Sequence, residues 1–118
     1  DYENAVELIK HFSEEKIDII VPSHFFYETL NIIGIKTTKD STWLMSQLFN
    51  FQFAEQPLTL ELSYKTLSIM QDFSKVSFYD SIYHAIAINN NGTFITADEK
   101  YYNQTKSLKH IQLLKDYK

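Results

Sequence analysis

Cysteine is absent from the 118 residues, which excludes disulfides, thiolate nucleophiles, Cys-ligated zinc and iron–sulfur clusters. Chemistry is left to carboxylates, His, Tyr, Lys and hydroxyls. Arginine is absent too, and eleven Lys stand against fifteen Asp and Glu, a net charge of −4. The chain thus lacks the overall positive field that drives non-specific nucleic-acid binding, although a local basic patch stays open. No apolar run approaches the roughly 20 residues that span a bilayer, and the acidic start, Asp1 to Phe12, is unlike a basic, apolar signal peptide. These absences predict a soluble, cytoplasmic protein with no membrane partner. What is present is ordinary globular composition, 44% hydrophobic and 22% charged, enough for one domain over residues 1–118 that needs no disulfide or structural metal to fold. There are no repeats, linkers or low-complexity segments.

Ala5, Leu8, Ile9 and Phe12 form the stripe of a helix resting one face on a core, and the pattern breaks at Glu14-Glu15-Lys16. Ile17 to Val21 reads as a buried strand closed by Pro22. Ser23 is positioned to cap a second helix running to Gly34, which suits a left-handed C-terminal cap. After the polar connection Lys36 to Asp40, Ser41 is a candidate cap for a third helix, giving a helical hairpin. Leu58, Leu60 and Leu62 fit strand or helix alike, and Tyr64 to Phe73 reads as helix. Ser77, three residues before Asp80, starts a small-residue helix that ends at Asn89-Asn90-Asn91-Gly92. Thr93 to Thr96 is a short strand, a helix begins at Glu99, and His110 to Leu114 forms a last strand. Strands alternating with helices predict an α/β fold with three layers, α/β/α, around a short parallel sheet.

In such a sheet, ligands bind beyond the carboxyl ends of the strands. Glu28 lies on the helix after the first strand, Asp80 opens the Ala-rich helix, and Asp98 follows Thr93 to Thr96. If the sheet is parallel, all three converge at one edge. Carboxylates brought that close stay ionised only beside a cation, and hard oxygen donors without Cys suit Mg²⁺ or Mn²⁺. Each acid also has a plainer reading: Asp80 bonding amides of its own helix, Asp98 an N-cap, Glu28 a solvated helix residue. The four His lack ligand-like pairing and read as structural or solvated. Tyr79 and Tyr83 read as packing residues, and most of the eighteen aromatics fall on core stripes rather than forming a base-stacking platform. Lys36, Lys39 and Lys100 are candidate phosphate contacts with surface solvation as the default.

The runs Val21-Pro22-Ser23-His24-Phe25-Phe26-Tyr27-Glu28-Thr29-Leu30-Asn31, Phe78-Tyr79-Asp80-Ser81-Ile82-Tyr83-His84-Ala85-Ile86-Ala87 and Phe94-Ile95-Thr96-Ala97-Asp98-Glu99-Lys100 closely resemble PIN-domain nucleases of the VapC toxin type. Such proteins show a strand, Pro and a helix carrying Glu and Asn, then a Tyr-Asp pair opening an Ala-rich helix, then a strand ending in Thr-x-Asp. The resemblance implies a metal-dependent endoribonuclease, the toxin of a toxin–antitoxin pair. It places Glu28, Asp80 and Asp98 at three of four acidic positions around Mg²⁺ or Mn²⁺, activating water for RNA phosphodiester hydrolysis. Thr96 matches the hydroxyl that braces the cluster and Asn31 an amide behind it, although a plain surface amide is an equal reading of Asn31. The resemblance also implies a homodimer and an antitoxin whose C-terminal segment blocks the acidic groove. The aromatic region Trp43 to Phe53 is a candidate contact surface, with core packing as its alternative.

One departure stands at the front. PIN domains carry their first Asp at the end of a central N-terminal strand, whereas Asp1 begins a helical stripe and so does not match. The chain opens on Asp1 rather than Met, as though an upstream segment were removed. The expectation is that the native gene supplies the strand and its Asp, and that residues 1–118 alone bind metal weakly or are inactive. A rival reading is a PIN-like interaction module that has lost cleavage. A weaker one is a receiver-type domain, for which the acidic pair after a first strand is lacking.

Overall fold

The computed structural model describes residues 2–36 and 39–118. Asp1 and the Thr37-Thr38 part of the expected connection lie outside them. In chain order the elements are α1 (Tyr2–Ser13), β1 (Ile20–Pro22), α2 (His24–Lys36), α3 (Ser41–Asn50), β2 (Ala54–Gln56), α4 (Leu60–Asp72), α5 (Phe78–Asn89), β3 (Phe94–Thr96), α6 (Glu99–Thr105) and β4 (Ile111–Leu113). This is the mixed α/β architecture that the alternation of short apolar runs and helical stripes predicts.

The core lies between α4 and α5, where Leu62 and Ile69 pack on Ile82, Ala85 and Ile86, with Phe73, Phe78 and Tyr83 closing the edges. Small side chains allow this approach: Ala85 is wholly buried, so the backbone of α5 comes close to its neighbours. Truncating Leu62 or Ile69 to Ala would open a cavity costing about 2–5 kcal/mol. Thr66, also buried, satisfies its hydroxyl by donating to the Leu62 carbonyl at 2.7 Å. α4 starts where Thr59 Oγ1 accepts the Leu62 N–H at 3.1 Å, and α5 where Ser77 Oγ accepts the Asp80 N–H at 3.0 Å.

The strands pair in parallel, β1 with β2 in the register Val21 to Glu55, and β3 with β4 in the register Ile95 to Gln112. They form two separate two-stranded sheets rather than one. Between them lies a slot of about 560 Å³ walled by Ile20 and Val21 of β1, Phe94 and Ile95 of β3, Ile86 and Ala87 of α5, and Leu8 and Ile9 of α1. The first turn of α1 is tied down near the end of β4: Asn4 Nδ2 donates to the carbonyls of Leu114 and Lys115 at 2.9 and 2.6 Å.

Several local expectations are corrected. The first strand is Ile20–Pro22, not Ile17 to Val21, because Pro22 accepts the terminal place in the ladder. Gly34 lies inside α2, and no glycine has positive φ. Ser41 is the first residue of α3 rather than its cap, and Asp40 precedes it without a side-chain cap bond. Ser23 Oγ donates across to Glu55 Oε2 at 2.7 Å, tying β1's end to β2. Leu60 and Leu62 resolve as helix, and β2 appears where no strand is expected, since its residues are exposed or half-buried.

Candidate active site

Glu28 lies one turn into α2, which leaves the carboxyl end of β1 almost directly. It is exposed, and its Oε1 accepts the Tyr83 hydroxyl at 3.1 Å. His24, one turn earlier on α2, brings Nε2 to 3.5 Å from the same oxygen. Asp80 sits half-buried in the first turn of α5, and Tyr83 follows it by one turn, so the phenol lies between acids from two helices.

Burial first, then the Glu28 charge and hydrogen bond, then the Asp80 charge, hold the Tyr83 hydroxyl well above the usual phenol range. The phenol therefore remains a donor. Tyr101, on α6, is pushed up to about 12 by burial against the opposing pull of the Ser81 and Thr105 hydroxyls, with the Asp80 charge adding to the rise. Asp80 thus acts on tyrosines on both sides, one bonded to Glu28 and the other in the helix that Asp98 caps.

Asp98 follows the end of β3 and is exposed. Its Oδ1 accepts the Tyr101 N–H at 3.0 Å, the N-cap contact open to it from sequence. Thr96 Oγ1 accepts the Asp98 N–H at 3.0 Å and so fixes the turn. Asn31 is exposed one turn beyond Glu28, and Lys100 is exposed in the first turn of α6; Lys36 and Lys39 are exposed as well. The sequence reads Tyr83 as a packing residue and His24 as structural or solvated, and shows neither one's contact with Glu28. The spacings were present, His24 and Glu28 at i, i+4 and Asp80 and Tyr83 at i, i+3, but nothing in them says that α2 and α5 face each other.

The PIN domain family profile matches residues 1–106, about nine-tenths of the 118 residues. The chain belongs to the PIN domain family. No curated protein and no solved structure matches it. Membership in the PIN domain family indicates a metal-dependent nuclease in general terms.

Whether these residues suit a divalent ion can be judged from the donors. Among the described residues no group of three or more His, Asp or Glu stands close enough together to hold a metal. Mg²⁺, however, uses one or two carboxylates and keeps several waters. Glu28 and Asp80 both offer hard oxygen donors of the kind Mg²⁺ takes. Glu28 Oε2 and Asp98 Oδ2 accept no hydrogen bond among the described residues.

Proposed function

We propose that this PIN domain is a metal-dependent endoribonuclease that hydrolyses RNA phosphodiester bonds, with Glu28 and Asp80 holding Mg²⁺ or Mn²⁺ and Asp98 completing the acidic edge. The observation that carries this reading is the hydrogen bond from Tyr83, one turn after Asp80 on α5, to Glu28 of α2. When bound, the ion supplies a water of lowered pKa and offsets charge developing on the phosphoryl group. The chain's own residues do the rest. Tyr83 keeps its proton and donates a hydrogen bond to Glu28, Thr96 steadies the turn that presents Asp98, and Lys100 lies two residues on to meet a phosphate oxygen. Asn31, one turn from Glu28, backs the same helix face.

The finer reading is a toxin of the VapC type, working as a homodimer and held in check by an antitoxin. Exposed Trp43 and Phe49 on α3, each about 60% accessible, support a protein contact there. We also propose that a further strand, ending in the first Asp and contributed from outside residues 1–118, fills the slot between β1 and β3. The apolar walls of that slot support it.

The test of the nuclease reading is Mn²⁺-dependent cleavage of a single-stranded RNA by the native chain and by Asp80→Asn and Glu28→Gln. Each substitution is expected to lower cleavage by roughly a hundredfold or more, with the melting temperature held. Undiminished cleavage in both variants would overturn the assignment.

A further inference from the structure

On an exposed helix face the torsions of a Glu side chain are free to wander, so a ligating carboxylate needs something to aim it. Here one oxygen of Glu28 accepts a hydrogen bond and has a histidine beside it. The Tyr83 hydroxyl donates to Oε1 at 3.1 Å, and His24 Nε2, itself shut off from solvent and without a hydrogen bond, stands 3.5 Å from the same atom. The phenol is in turn fixed by its neighbours. Its ring stacks on Phe94 of β3 with centroids 5.3 Å apart and planes at 13°, and the His24 imidazole meets it edge-on at 5.1 Å and 75°.

We infer that Tyr83 is a positioning residue, holding Oε1 of Glu28 and so fixing the orientation of that carboxylate. The inference rests on the nuclease reading above and deepens it. Tyr83 lies one turn from Asp80 on α5 and reaches across to α2, so a single side chain ties Glu28 to the helix that carries Asp80. Its ring packs against Phe94 at the start of β3 as well, which ties it to the strand leading to Asp98. The hydroxyl, not the ring, is the part that aims Glu28.

Tyr83→Phe keeps the ring and removes the hydroxyl. The experiment titrates Mn²⁺ alone into the RNA-free full chain, by calorimetry or by loss of the free-ion paramagnetic resonance signal, alongside Glu28→Gln and Tyr79→Phe. Tyr79 is exposed and touches the other side of His24, so it serves as the control. Expected for Tyr83→Phe is an Mn²⁺ affinity lowered about tenfold, as for other groups that orient a ligand, and a kcat for RNA cleavage reduced with KM unchanged. Tyr79→Phe should match the native chain, and all melting temperatures should agree closely. If Glu28→Gln weakens Mn²⁺ binding but Tyr83→Phe does not, Tyr83 only packs and the positioning role is overturned while the nuclease reading stands. If Glu28→Gln also binds as the native chain does, Glu28 is not a ligand, and the nuclease assignment of that residue falls together with this inference.

Discussion

His84 is buried in α5 with both ring nitrogens engaged, Nε2 at 2.6 Å from the Lys109 carbonyl and Nδ1 at 3.0 Å from the Tyr101 hydroxyl. A carbonyl only accepts, so Nε2 carries the proton and Nδ1 accepts from the phenol, which fixes the neutral ring in one tautomer. Burial lowers the His84 pKa, the Lys109 carbonyl opposes that, and nearby His110 adds to the fall. Between the depressed folded pKa and the ordinary value near 6.5, the unfolded chain binds the extra proton, so stability from this group is present above about pH 6.5 and is lost as pH falls below it. The melting temperature should therefore drop on going from pH 7.5 to about 5.5, and His84→Gln should drop less over the same interval. Parallel pH profiles for the two chains would remove His84 as the source.

At the scale of elements, α2 offers the sharpest test of how local sequence and packing divide the work. Gly34 lies within α2, its φ is not positive, and among the described residues a Cβ there would meet only Met45 Cε of α3, at 3.9 Å. Gly34→Ala should thus stabilise the protein by about 0.5–1 kcal/mol, read as a melting temperature raised by a few degrees. Ser77→Ala should do the reverse, losing about 1 kcal/mol with the cap on the Asp80 N–H. Both residues carry a recognisable signal in sequence, yet only Ser77 plays the part it suggests. A cap before an acidic first turn is a local arrangement, whereas a glycine after an apolar stripe cannot reveal that Ile35 and Lys36 continue the helix. The strand Ala54–Gln56 was illegible for a related reason: with two exposed residues and one half-buried, it has no hydrophobic pattern and exists only because β1 pairs with it. The end of β3, with Thr96 and Asp98, was legible because a β-type run, a hydroxyl and a capping acid follow one another directly in the chain.

For the molecule as a whole, what matters is that the strands fall into two parallel pairs and that β1 and β3 wall one apolar slot. Each of these strands has a ladder partner on one side only, so the backbone groups on its other edge are left without one in its sheet. The slot is bounded by α1 as well as by α5, and α1 starts beside the residues that follow the end of β4. A strand lying in the slot parallel to its neighbours would end at that same side, enter α1, and return to β1, the right-handed crossover that parallel strands require. Its last residue would then stand at the sheet end where α2 begins, one turn before Glu28, and where Thr96 leads to Asp98. This gives the proposed first Asp a physical destination. Residues 1–118 compared with an N-terminally extended chain from the native gene should therefore differ twice. The extended chain should show Mn²⁺-dependent RNase activity at least roughly tenfold higher, and the backbone amides of β1 and β3 should gain protection from hydrogen exchange. Equal activity with equal protection would mean that the slot takes no strand.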